Sequence, residues 1–129
     1  MIYFDSSALI KMIAPEPESE ALSQWIRDHW EQSRATSALS KVDVLRTFRD
    51  VGPAAEDLAS IVVSKLEALP VRQDVLDTAS ELEADLTLVE AVHLASACGV
   101  KDQPVTYVSY DPTLLAAARD AGLSTASPA

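Results

Sequence analysis

Asp5, Asp43, Glu90 and Asp111 are carboxylates in surroundings where a chain does not ordinarily put them. Asp5 ends the apolar run MIYF and precedes two serines in MIYFDSSALIKM, and Asp111 stands just past PVTYVSY, directly before Pro112. Asp43 lies among Leu39, Val42, Val44, Leu45 and Phe48, and Glu90 among Leu86, Leu88, Val89, Ala91, Val92 and Leu94. A carboxylate in apolar company needs a partner, because desolvation otherwise forces it neutral or unfolds the segment. Local partners are available. Asp is a preferred helix N-cap, which would account for Asp5 and Asp111; Lys41 or Arg46 would serve Asp43, and His93, one turn beyond, would serve Glu90. The other account is convergence of the four acids on one cavity, where their repulsion makes sense only around a divalent cation, and oxygen-only ligands suit Mg²⁺ or Mn²⁺.

Such convergence requires elements that bring distant segments to one edge. MIYF reads as a short buried strand and SSALIKMI as a helix stopped by Pro15, since a proline disfavours helical geometry in the residue before it. Pro17 suits a first helical turn, with Ala21, Leu22, Trp25 and Ile26 forming one stripe through about His29. RATS is a weak second strand, LSKVDVLRTFRDVG a helix ended by Gly52, Ala54 to Ala68 a further helix, LPV a third strand and VLDTASELEA another helix. LTLVEAVHLASACG is the most apolar helix, closed by Gly99. PVTYVSY is a β run rich in Val, Thr and Tyr, followed by a helix from Pro112 to Ala121 and a last short strand in LSTAS. Strands separated by helices predict an α/β fold, a three-layer α/β/α arrangement around a short parallel sheet. In open parallel sheets ligands sit beyond the carboxyl ends of the strands, where Asp5 and Asp111 both fall.

Composition narrows the function. At 129 residues the chain predicts a single domain spanning 1–129. No apolar stretch approaches the roughly 18–20 residues needed to cross a bilayer, which predicts a soluble cytoplasmic protein with no membrane partner. The single cysteine, Cys98, excludes an internal disulfide and a thiolate metal site and reads as a small core residue. A net charge of −10 argues against a general nucleic-acid coat. The charge is uneven, however: six of the ten basic residues fall in the first 49 positions, against seven acids there, so a basic face on the amino-terminal half is an open reading beside a mixed solvated surface.

The segments DSSALIKM, TSALSKVDVLR, LVEAVHLASA and VSYDPTLLAAARDAGL, taken in order and spacing, resemble the four acidic motifs of PIN-domain ribonucleases, most closely the VapC-type toxins of bacterial toxin–antitoxin pairs. The resemblance covers nearly the whole chain. It implies a compact PIN-like α/β/α fold, a Mg²⁺ or Mn²⁺ site, endonucleolytic cleavage of RNA, inhibition by a cognate antitoxin whose C-terminal segment wraps the toxin, and a homodimer formed through the early helices. Carried over position by position, the first acid is Asp5, with Ser6 or Ser7 at the small hydroxyl positions, and the fourth is Asp111, with Ser109 as the hydroxyl before it. The two middle acids depart from the pattern: the family has Glu where this chain has Asp43, Asp where it has Glu90, and commonly Arg where it has Thr87.

The resemblance assigns metal binding to Asp5, Glu90 and Asp111, with Asp43 orienting a water or a ligand and Ser7 and Ser109 in support, for metal-assisted hydrolysis without a side-chain nucleophile. Asp85 is a weaker candidate for the third ligand, because five residues from Glu90 it faces another way on a helix. His93 reads as a core residue bonded to backbone or carboxylate rather than a general base, and His29 as surface. Trp25 and Trp30 suit packing or a dimer contact more than base stacking. Two other classes compete: a binding module that holds antitoxin or RNA without cutting it, and a phosphoacceptor domain. The latter lacks a second aspartate two residues beyond Asp5 and a lysine after PVTYVSY.

Overall fold

The computed structural model describes all 129 residues. Its elements follow the expected alternation: β1 (Ile2–Phe4), α1 (Ser6–Ile13), α2 (Ser19–Asp28), β2 (Arg34–Ser37), α3 (Leu39–Arg49), α4 (Pro53–Ser64), β3 (Glu67–Leu69), α5 (Gln73–Glu81), α6 (Leu88–Cys98), β4 (Thr106–Val108), α7 (Pro112–Asp120) and β5 (Ser124–Ala126). The five strands form one parallel sheet in the order β3-β2-β1-β4-β5. From β1 the chain builds outward through β2 and β3 on one side, then returns to add β4 and β5 on the other. The order therefore reverses between β1 and β4, and the loops leaving their carboxyl ends splay apart to open a crevice.

Sequence alternation in β1 assigns the two faces. Ile2 and Phe4 pack with Ala8 and Leu9 of α1, Leu22 of α2, Val44 and Phe48 of α3 and Ala59 and Val63 of α4. Tyr3 points the other way, into Tyr107, Leu94 and Ala97 of α6 and Leu114 and Ala118 of α7. Every residue of β1 is fully buried, as expected of a central parallel strand covered on both sides. Val75 of α5 packs on Val92 and Ala95 of α6 in a small outer cluster.

Several boundaries differ from the periodicity reading. The third strand is Glu67–Leu69 rather than LPV, and α4 ends at Ser64 instead of Ala68, because pairing of Thr36 with Ala68 draws those residues into the sheet. The helix around Glu90 begins at Leu88, capped by Thr87. Gly99 closes α6 with an ordinary φ of −74°, so this helix end needs no left-handed residue. Gly122, at φ 89°, is the turn between α7 and β5 that does require glycine. Cys98 is half-buried against the second cluster. His29 is half-buried rather than plain surface, its ring 4.3 Å from that of Trp25, while Trp30 is exposed.

Candidate active site

Register brings the first two site residues together. Phe4 pairs with Val108 across β1 and β4, so the next residue along each strand, Asp5 and Ser109, leaves the sheet side by side. Asp5 caps α1: its Oδ1 accepts from the Ala8 N–H at 3.0 Å and from Ser7 Oγ at 2.7 Å, and its Oδ2 accepts from Ser109 Oγ at 2.6 Å. The residue is only 1% exposed. Burial pushes its carboxyl pKa above the ordinary Asp value and the neighbouring Asp111 pushes it further, while the three donors oppose the rise. The Tyr110 N–H donates to Ser7 Oγ and the Asp111 N–H to Ser109 Oγ, so the two serines also fix the loop that carries the fourth acid.

Asp111 is the N-cap of α7, its Oδ1 accepting from the N–H groups of Thr113 and Leu114 at 2.8 and 3.3 Å. Glu90 stands at the third position of α6 and returns to the helix start, its Oε1 accepting from the Thr87 N–H at 3.0 Å while Thr87 Oγ1 accepts from the Glu90 N–H. This reciprocal pair is a capping box. Asp43, one turn into α3, accepts from Ser6 Oγ at 2.9 Å through Oδ2. Neither Lys41 nor Arg46 pairs with it; both are exposed and in no salt bridge, and His93 does not pair with Glu90. His93 bonds instead to two hydroxyls, Tyr3 Oη at 2.7 Å and Ser6 Oγ at 2.9 Å, correcting the expectation of a backbone or carboxylate partner. Burial depresses its pKa to about 4, with Asp43 pulling the other way.

All four acids line one cavity of about 270 Å³, together with Ser6, Ser7, Thr87 and His93. No lysine or arginine lines it. A larger cavity of about 350 Å³ beside β3 and the loop from α6 to β4 mixes Glu67, Asp74 and Asp102 with Arg72 and Lys101, so its charges partly offset one another. Asp85, exposed on the loop before α6, lies outside the acidic cavity.

The donor chemistry of the acidic cavity suits a hard divalent cation: four carboxylates, no thiolate, and uncompensated negative charge. Asp43, Glu90 and Asp111 each keep one carboxylate oxygen with no hydrogen-bond partner in the protein. The expected convergence is incomplete, however, since no three acidic or histidine side chains meet at a single point. The reason is local. Glu90 and Asp111 are turned onto the N–H groups of their own helix starts, so the capping and the cavity accounts both hold, with one oxygen of each carboxylate serving the helix and the other left over.

Sequence reasoning missed Ser6 as the partner of Asp43 and Thr87 as the partner of Glu90. The second was legible, since Thr87-Leu-Val-Glu90 is a T-x-x-E capping signature ahead of an apolar run. The first was not, because Ser6 and Ser7 are adjacent and only the helical turn sends one to each acid.

A PIN domain family model matches residues 2–120. Ribonuclease VapC47 of Mycobacterium tuberculosis is 36% identical over 132 residues, covering 99% of this chain and 97% of the relative. Ribonuclease VapC46 of the same species is 34% identical over 128 residues, covering 98% and 97%. Among solved structures, a toxin–antitoxin complex from Klebsiella pneumoniae superposes with a TM-score of 0.77 at 18% identity, covering 100% of this chain and 98% of that one, which supports the fold.

Proposed function

The chain belongs to the PIN-domain family, and on that premise we propose that it is a toxin ribonuclease: an endonuclease that hydrolyses phosphodiester bonds of RNA and is held inactive by a cognate antitoxin. The observation that carries this reading is the cavity at the β1/β4 crevice, where acids from four separate segments gather with no lysine or arginine among them. Asp5, Glu90 and Asp111 would hold Mg²⁺ or Mn²⁺. Bound there, such an ion would supply a water of lowered pKa and positive charge beside the scissile phosphate.

The protein's own contribution is placement. Ser7, Ser109 and the Ala8 N–H lock both oxygens of Asp5, so that carboxylate cannot rotate. Ser6 holds one oxygen of Asp43 and leaves the other to orient a water beside the phosphate. Asp111 is fixed through its cap on α7, and Glu90 is fixed through Thr87. None of the four must act as a nucleophile, and the burial that lowers the His93 pKa to about 4 makes its ring a weak base.

We read all 129 residues as one PIN domain acting in the cytoplasm, the compartment of the RNA it would cut; separately, no helix is long and apolar enough to cross a membrane. The exposed Val42 of α3 and Val51, Leu58 and Ile61 at and along α4 suit burial by an antitoxin or a second copy in a homodimer. A second reading has one observation in its favour: Glu90 and Asp111 are engaged in caps and no three acids converge, which fits a module that binds RNA or antitoxin without cutting.

The deciding experiment incubates antitoxin-free protein with total RNA and Mn²⁺, beside an Asp5→Asn control. Defined fragments from the wild type alone support the ribonuclease; intact RNA that nevertheless co-elutes with the protein supports the binding module.

A further inference from the structure

The hydroxyls around His93 form a directed chain that ends on Asp43. Ser6 Oγ donates its one proton to Asp43 Oδ2, at 2.9 Å. It can then only accept at its 2.9 Å contact with His93 Nε2. A second hydroxyl imposes the same condition. Thr36 Oγ1 donates to the Phe4 carbonyl at 2.8 Å, so Ser40 must donate to Thr36 Oγ1, leaving Ser40 Oγ as another acceptor 3.5 Å from His93 Nε2. Nε2 therefore carries the proton. A neutral imidazole then has a bare Nδ1, and Nδ1 lies 2.7 Å from the hydroxyl of Tyr3, which has no stronger claim on its proton. Every bond runs one way: Tyr3 O–H to His93 Nδ1, His93 Nε2–H to Ser6 Oγ, Ser6 O–H to Asp43.

Burial reinforces each step. Tyr3 and His93 are 0% and 1% exposed, and the desolvation that raises the Tyr3 pKa keeps its phenol protonated. Tyr3 is wedged between the ring of Tyr107, stacked at 5.4 Å, and that of His93, edge-on at 5.8 Å, so neither end of the Tyr3–His93 bond can swing away.

Resting on the ribonuclease reading, we propose that Tyr3, His93 and Ser6 are positioning residues: they fix His93 as the Nε2–H tautomer and thereby aim the Ser6 hydroxyl at Asp43, so that the free oxygen of Asp43 faces the reacting phosphate. If the tautomer reverses, Nε2 becomes an acceptor and competes for the Ser6 proton, and Asp43 loses its only side-chain donor. The chain explains how a carboxylate one methylene shorter than the usual glutamate is held in place: a hydroxyl from α1 reaches toward it.

Long-range ¹H–¹⁵N spectra of histidine-labelled, antitoxin-free protein at pH 7 read the tautomer directly. His93 should be neutral with the proton on Nε2, and Tyr3→Phe should weaken that preference. Kinetics then read the consequence. Ser6→Ala and Tyr3→Phe should each lower kcat roughly 10- to 100-fold, the range typical of outer residues that support a metal site, with KM unchanged. Ser6→Thr should restore the rate, and the Ser6→Ala/Tyr3→Phe double variant should be no slower than Ser6→Ala alone, because both act through one bond. A merely structural role would lower the melting temperature of these variants and leave kcat, rescue and non-additivity untouched. His93 found as the Nδ1–H tautomer or as imidazolium overturns the proposal, as does wild-type kcat in folded Ser6→Ala. If the wild type cuts no RNA, the ribonuclease reading and the positioning role fall together, while the tautomer and its dependence on Tyr3 still show whether the hydrogen-bond chain exists.

Discussion

Ser109 Oγ lies 2.6 Å from Asp5 Oδ2 although 104 residues separate them in the chain. The contact is a direct product of sheet register: β4 lies beside β1, Val108 pairs with Phe4, and the next residue on each strand is one of this pair. The site is thus assembled by the sheet, and each acid can be tested separately for what it does for the fold and for the chemistry.

Asp111 and Glu90 allow that separation. Asn caps a helix about as well as Asp, and Gln serves a capping box as well as Glu. Asp111→Asn and Glu90→Gln should therefore melt close to wild type while losing RNA cleavage, whereas Thr87→Ala should lose about 1 kcal/mol of stability. Paired melts and cleavage assays decide this, and unchanged cleavage in both acid variants would leave these residues as caps alone.

The exchanged lengths of Asp43 and Glu90 make a second test. Glu90→Asp shortens the arm that reaches the Thr87 N–H and should weaken the capping box on its own. The double change Asp43→Glu with Glu90→Asp should retain or raise activity, with the single changes non-additive. A dead double variant beside an active parent would mean that this chain has built its site around its own side-chain lengths.

Asp5→Asn removes a buried charge whose pKa burial already pushes up. The metal-free variant should still fold, since relief of the buried charge offsets the acceptor lost to Ser7, Ala8 or Ser109, with activity abolished. A divalent ion that binds only the folded form adds roughly 2.7 kcal/mol at a hundredfold excess over its Kd, several degrees in Tm for a domain of this size. Melts in EDTA, MgCl₂ and MnCl₂ at matched ionic strength should show that rise in wild type and a smaller one in Asp5→Asn. Identical curves at millimolar metal would remove the shared ion site.

His93 predicts a pH dependence of stability. Its pKa is 6.5 in the unfolded chain and about 4 in the fold, so below pH 6.5 the unfolded state takes up a proton that the folded state refuses. Stability is full above pH 6.5 and falls as the pH drops toward 4, by roughly 3 kcal/mol over the window. The groups facing the ring are Tyr3, Ser6 and Ser40, with Asp43 beyond Ser6, and the Asp43 charge moderates the fall. Asp5, with its raised pKa, slopes the other way: its contribution is lost as the pH rises through its own window. Denaturant titrations of wild type and His93→Gln between pH 4 and 8 isolate the histidine, whose variant should show a flatter curve; parallel curves would mean that His93 is not buried neutral.

Much of this molecule was written in one dimension. Alternating apolar strands and amphipathic helices specify a parallel α/β sheet, because each short-range period has one way to bury its apolar face. An aspartate at the end of a buried strand marks the ligand edge of such a sheet, which puts Asp5 and Asp111 on the same side. Asp43 and Glu90 announced themselves as carboxylates among apolar neighbours. The partners of these acids were decided only in three dimensions. Which of two adjacent serines reaches Asp5 and which reaches Asp43 depends on the turn of α1; that His93 meets Tyr3 and Ser6 rather than Glu90 depends on how α6 packs against the sheet. Hydrogen bonds act over about 3 Å, and contacts spanning 87 to 104 residues of chain are set by packing, to which local sequence patterns are blind.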